Sequence, residues 1–276
     1  MINREDMLEL TRRMTPARTS FVRMAGCYTD SDGEYDGSFN IHFLKLSGSE
    51  KARNLAIAKK IPFAESNEKL REYRFPETSQ GPGSIWQMLM ALRECGLKND
   101  ALLETFYDIL IEGLQIHGAY AIYMFYDRYD IPAKASDKER LGESEEMFPY
   151  LICAVCPLVG EYEPGNPICG FLFPAFNDRN TDIHSLLYYA KNPEELPDTL
   201  IDELLGCVIP MSAKSQKETF QAIVEETLGE NCDFETVKNI HENLSELVEE
   251  TKDEPVPLTL DKYQVKKLLE TDGGTP

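Results

Sequence analysis

An α+β fold is what this sequence of 276 residues predicts: an antiparallel or mixed sheet with covering helices, followed by a mainly helical C-terminal region. Three observations lead there. Strand-like segments at 20–29 and 38–46 flank "DSDGEYDG", a dense turn signal that joins them as an antiparallel hairpin. Two later runs, 118–131 and 147–159, are almost continuously apolar and aromatic, as central strands are when helices cover at least one face. After Tyr189 the chain turns acidic and helix-like. The expected organisation is a sheet domain over 1–190 and an acidic helical region over 191–276.

Each element has its own warrant. A short amphipathic helix is expected at 3–14, with Asn3 as its cap, Arg12 and Arg13 near its C-terminal end and Pro16 as its stop. After the hairpin, 47–61 reads as a helix capped by Ser47 or Ser49 and closed before Pro62. Residues 62–83 are polar and broken by Pro62, Pro76, Gly81 and Pro82, so a loop is expected there. Helices follow at 84–95 and 99–114, the second with the stripe Leu102, Leu103, Phe106, Ile109, Leu110 and Gly113. The charged stretch 132–146 reads as an exposed loop between the two central strands, and further strands are expected at 169–175 and 183–190. "NPEEL" then starts a helix with Asn192 at the cap and Pro193 at the first helical position. Helices are expected at 193–205, 214–228, 233–250 and 259–270, with a joint at Pro255 and Pro257.

Charge limits the functional classes. The net charge is −20 and unevenly placed: residues 1–75 hold 13 Lys/Arg and 11 Asp/Glu, whereas the remainder holds 15 and 37. A field of that sign repels phosphate backbones and anionic lipid. Contact with nucleic acid would need a local basic patch, for which Arg12, Arg13, Arg18 and Arg23 are the candidates. The N-terminal "MINREDMLELTRRM" carries charges where an export signal needs an apolar core, and the run 147–159 is shorter than the ~20 residues of a membrane span. Seven cysteines in such a chain read as reduced thiols of a cytoplasmic protein.

The motifs that carry common chemistries are incomplete. "CAVC" places Cys153 and Cys156 inside a strand-like run, where positions i and i+3 face opposite sides of a sheet, so they read as buried structural thiols. His42, His117, His184 and His241 form no ligand pair, "GPGS" at 81–84 lacks the Lys-Ser/Thr of a phosphate loop, and there is no GxSxG elbow. No cofactor or metal is therefore expected. The densest polar knot lies in "GFLFPAFNDRNTDIHSLLYYAKNPEEL", residues 170–196. As an active site, Asp178 or Asp182 would be the general base, His184 the acid/base partner and Arg179 an anion clamp. As a turn, the same Asn, Asp and Thr residues would satisfy main-chain donors between two strands. The turn is the stronger expectation, because nothing else in the chain completes a catalytic set.

That segment, together with "AGCYTD" upstream and "YDRYDIPAKASD" at 126–137, resembles a family of Gram-positive bacterial proteins catalogued as domain of unknown function 4317. The resemblance spans the whole chain, supplies no activity, and implies family members that run on past residue 276. From about residue 100 onward, the order of elements is also similar to the bacterial nucleoid-associated protein family, through "DELLGCVIPMSAKSQKETFQAIVEE" and the helix–acidic hinge–helix pattern of 233–269. Ala213, Lys214, Gln216 and Leu260 carry that likeness. The expectation is a cytoplasmic, non-catalytic bacterial protein distantly related to nucleoid-associated proteins. It would act through a protein partner in preference to nucleic acid. An enzyme built on Asp178, Asp182 and His184, and an acidic protein-interaction module, are the alternatives. The sequence does not specify an oligomeric state.

Overall fold

The computed structural model describes residues 10–62, 69–114, 116–130, 147–176, 181–192 and 204–209. The chain divides into two compact units, Met1–Pro210 and Met211–Pro276, and every described residue belongs to the first. The expected loop at 132–146 and the expected helices at 214–228, 233–250 and 259–270 lie outside the described residues, as does most of 193–205.

The unit is built on β1 (Arg23–Thr29), β2 (Tyr35–His42), α1 (Gly48–Lys60), β3 (Leu70–Arg74), α2 (Ile85–Cys95), α3 (Asp100–Leu114), β4 (Tyr120–Asp130), β5 (Met147–Gly160), β6 (Glu163–Pro164), β7 (Cys169–Phe173), β8 (Ala175–Phe176), β9 (Thr181–Asp182) and β10 (Ser185–Ala190). One antiparallel sheet runs in the order β2-β1-β4-β5-β7-β10-β3, with β6 added to the end of β5, and β8 and β9 form a separate two-stranded ribbon. This is the α+β fold predicted from the sequence, with the sheet antiparallel throughout.

The apolar runs at the centre are explained by burial on both faces. Tyr120, Ile122, Met124 and Tyr126 of β4 and Leu151, Cys153 and Val155 of β5 pack beneath α2 and α3 with Leu89, Leu92, Phe106 and Leu110. Ala121, Tyr123 and Phe125, with Ile152, Ala154 and Cys156, pack on the opposite face against Leu55, Ile57 and Ala58 of α1 and against Leu10, Met14 and Phe21. Alternate side chains therefore enter different apolar layers, and from Tyr120 to Tyr126 on β4 and from Tyr150 to Cys156 on β5 every residue is buried. Each fully buried Leu, Ile or Phe contributes ~1.5–3 kcal/mol from removal of apolar surface, so the two layers hold the unit together.

The helix ends obey the local rules. Ser47 caps α1, and Ser47 and Glu50 form a reciprocal capping box. Ser84 accepts the Gln87 amide at the start of α2, and Gly96 ends that helix at φ +60°, in the left-handed region. Residues 10–13 are helical and stop before Pro16, while Asn3 lies outside the described residues.

The first hairpin and one assignment differ most from the sequence expectation. β1 ends at Thr29 as expected, but β2 starts before the expected 38 because Asp30 Oδ1 accepts the amides of Asp32 and Glu34, both at 2.9 Å, and closes the turn early. Pairing therefore begins at Tyr35, and Phe43–Lys45 become a 3-10 turn that buries the Phe43 ring. The expected loop at 62–83 contains β3, which pairs with β10 from Ser185↔Arg74 to Tyr189↔Leu70. "LREYR" hides as a strand because it is an edge, where charged residues are tolerated and Tyr73 is its one buried side chain. Its other side carries a single bridge to Val208, with two main-chain hydrogen bonds of 2.8 Å to Arg74.

Strand packing is tight where β7 crosses the centre. A Cβ at Gly170 would overlap the carbonyl oxygen of Cys153 and lie 2.7 Å from Ile61 Cδ1. Gly170→Ala is therefore expected to destabilise the unit by ~2–3 kcal/mol in urea denaturation, because main chain has to move. An unchanged midpoint would show that β5 and β7 are further apart than described.

Candidate functional site

The polar knot of 177–184 stands at the turn of a hairpin. β7 and β10 pair with Leu187↔Leu172 and Tyr189↔Gly170, and beyond them Ala175↔Asp182 and Phe176↔Thr181 extend the pairing. Asp178 and Arg179 fall in the four residues between β8 and β9 and lie outside the described residues. Asp182 is the last residue of β9, and its main chain is part of the pairing. His184 follows in the two-residue step to β10.

His184 is the one member of the knot whose side chain is described, and it is built into the packing. Its ring lies parallel to that of Trp86 on α2, with centroids 5.7 Å apart and an interplanar angle of 11°. The Trp86 indole N–H donates to the carbonyl of Ile183 at 2.7 Å, and the Phe75 amide donates to the carbonyl of His184 at 2.7 Å. These bonds tie the β9–β10 step to α2 and to the end of β3. The hydrogen bond and stack orient an aromatic clasp between hairpin and helix.

The four arginine candidates are not brought together. Residues 10–13 sit over the α1 face, where Leu10 and Met14 are buried, with Arg12 exposed and Arg13 partly covered. Arg18 is exposed in the turn that follows. Arg23 shares the opposite face with Ala25 and Cys27, and its Nη1 donates to Asn40 Oδ1 at 2.9 Å. The sheet therefore stands between Arg23 and the helix that carries Arg12 and Arg13.

The thiols are placed as a strand demands. Cys153 faces α2 and α3 while Cys156 faces α1, so the "CAVC" pair straddles the sheet. Burial pushes the thiols of Cys27, Cys156 and Cys169 up to about 12, and that of Cys153 well above its ordinary range. A thiol so disfavoured as thiolate is a poor nucleophile and a poor metal ligand. Among the described residues no group of three His, Cys, Asp or Glu could hold a metal ion, and no helix is long and apolar enough to cross a membrane.

A buried carboxylate that sequence reasoning passed over lies at Asp127 on β4. Its Oδ2 accepts from Ser20 Oγ at 2.7 Å and from Tyr150 Oη at 2.9 Å, and its Oδ1 accepts the Arg128 amide at 2.8 Å. Arg13 adds a favourable charge from the N-terminal helix. The cluster thus fastens the segment 13–20 to the β4–β5 pair. The signal in the sequence is a lone Asp at the end of an apolar run, in "MFYDRYD", which a surface strand end would also show.

Desolvation raises the Asp127 carboxyl above its ordinary 3.8, and the hydrogen bonds and Arg13 offset only part of that. A carboxyl whose folded pKa is raised contributes most below the unfolded value, and that contribution declines as pH climbs through the folded value. The difference in unfolding free energy between the wild type and Asp127→Asn should therefore shrink as pH rises from below 3.8 toward neutrality, read by urea denaturation across that range. A difference that grows with pH would reverse the sign of the shift.

Comparison with known proteins adds the family and nothing narrower. No curated protein and no solved structure matches the chain. The family model described as Domain of unknown function (DUF4317) matches residues 2–164 and 161–275, close to the full length. The sheet unit, its hairpin and the following region thus all fall within one family, and the chain belongs to that family, Domain of unknown function (DUF4317).

Proposed function

We infer that this is a cytoplasmic, non-catalytic bacterial protein that acts by binding a protein partner. The observation that carries the reading is the use of His184 and of four of the described thiols as packing. The His184 ring is stacked on Trp86, and the thiols of Cys27, Cys153, Cys156 and Cys169 are buried with raised pKa values. Protein is favoured over nucleic acid because the net charge is −20 and the sheet separates Arg23 from Arg12 and Arg13.

A distant relationship to nucleoid-associated proteins is the narrower form of this reading. It rests on the pattern of 202–269, of which only 204–209 is among the described residues. The enzyme alternative needs Asp178 or Asp182 to converge with His184 beside a substrate.

Crosslinking in the source cell and affinity capture of the full chain should recover one protein in constant stoichiometry, and Asp182→Asn with His184→Gln should capture it equally well. A random-sequence DNA duplex at low salt should show no saturable binding. Saturable binding that weakens steeply with salt, and weakens again in Arg12→Gln with Arg18→Gln, would replace the protein partner with the nucleoid-associated form. Turnover of a substrate that vanishes in the Asp182/His184 variant would overturn the non-catalytic reading.

A further inference from the structure

The two edges of the main sheet are unequal. β3 carries the bridge to Val208, whereas β2 is paired on one side only among the described residues. Such an edge exposes an amide and a carbonyl at every second residue and is a template for another strand. In "YDGSFNIH" neither a lysine nor a proline blunts it.

A cavity of about 200 Å³ lies along this edge, lined by Ser38, Phe39 and Asn40 of β2 and by Asp100, Leu103, Glu104 and Tyr107 of α3. The Phe39 ring packs with Tyr28 and Tyr123 on the α1 face, while Asn40 reaches Leu97 and Asp100 on the helical side. A cavity touched by consecutive residues from both faces of a strand opens on that strand's edge. The α3 residues at i, i+3, i+4 and i+7 form the facing wall as one helical stripe. Asn40 holds the wall at its distance, donating to the Leu97 carbonyl at 2.8 Å and to Asp100 Oδ1 at 2.7 Å.

Two features describe the occupant. The volume is below the ~300–1,000 Å³ of sites that enclose a small molecule, which suits a length of passing chain. Asp100 and Glu104 are exposed carboxylates on the rim, so the occupant carries positive charge. The chain's own second unit is ill suited, since 211–276 carries 7 Lys and 15 Asp/Glu.

We propose that the β2–α3 groove takes an extended, basic segment of a partner protein as an added strand, main chain to β2 and Lys or Arg side chains to Asp100 and Glu104. This strand addition deepens the binding function above and rests on it. The probes are fluorescein-labelled octapeptides alternating Lys with Thr and Val, the same peptides with Glu for Lys, and two basic versions N-methylated on alternate amides in either phase. Anisotropy with the full chain should show saturable binding of the basic peptide and none of the acidic one. One methylation phase should abolish binding and the other should spare it, because only alternate amides face β2. Asp100→Asn with Glu104→Gln should weaken binding at least tenfold. Equal effects of the two methylation phases, insensitivity to the Asp100/Glu104 change, no saturable binding of the basic peptide, or dimers of the chain that compete with it would each overturn the groove. Recovery of a crosslinked partner alongside any of these would leave the binding function standing and move its site elsewhere.

Discussion

Burial of the β4–β5 pair on both faces is the constraint on which the rest of this structure depends. An antiparallel sheet commonly keeps one wet face, and its strands then alternate apolar and polar residues. Here α2 and α3 cover one face and α1 with residues 10–21 cover the other, so both sets of side chains must be apolar or fully bonded. The long apolar runs follow from this, and so does the close approach of β7 at Gly170.

The same constraint decides what polar groups can do inside the unit. Thr29 shows the rule where the β1–β4 ladder ends at Tyr28↔Ala121: its hydroxyl donates to the Tyr120 carbonyl at 3.1 Å and accepts the Tyr120 amide at 3.0 Å, so the main-chain groups of the next residue stay bonded. Asp127 is admitted because Ser20, Tyr150 and the Arg128 amide bond both its oxygens. The thiols of β5 pass to opposite layers and lose the thiolate form that reactivity needs. Among the described residues, the exposed carboxylates Asp100 and Glu104 stand instead beside β2, at the margin of the sheet.

Legibility in the sequence followed the strength of each local signal. The helices at 48–60, 85–95 and 100–114 were legible within about a residue, since the cap at Ser47 and the apolar stripe of α3 are local features. The opposite facing of Cys153 and Cys156 followed from strand periodicity. β3 was hidden because "LREYR" has no apolar alternation to show and becomes a strand only through its partner β10. Asp127 and the β2–α3 groove were hidden for a related reason. Ser20 and Tyr150 are 107 and 23 residues from Asp127, and Asn40 is 57 and 60 residues from its partners at Leu97 and Asp100.

By itself, then, the sequence determined the class of fold, the covered central strands, the hairpin that carries the 177–184 knot and the family to which the chain belongs. Periodicity, capping and turn chemistry act over a few residues, and so can be read along a line. The tertiary structure decided the strand order, the fate of His184 against Trp86, the separation of Arg23 from Arg12 and Arg13, and which strand forms each edge of the sheet among the described residues. Each of these depends on groups far apart in the chain meeting across a sheet or a helix, and no local pattern records which of them will meet.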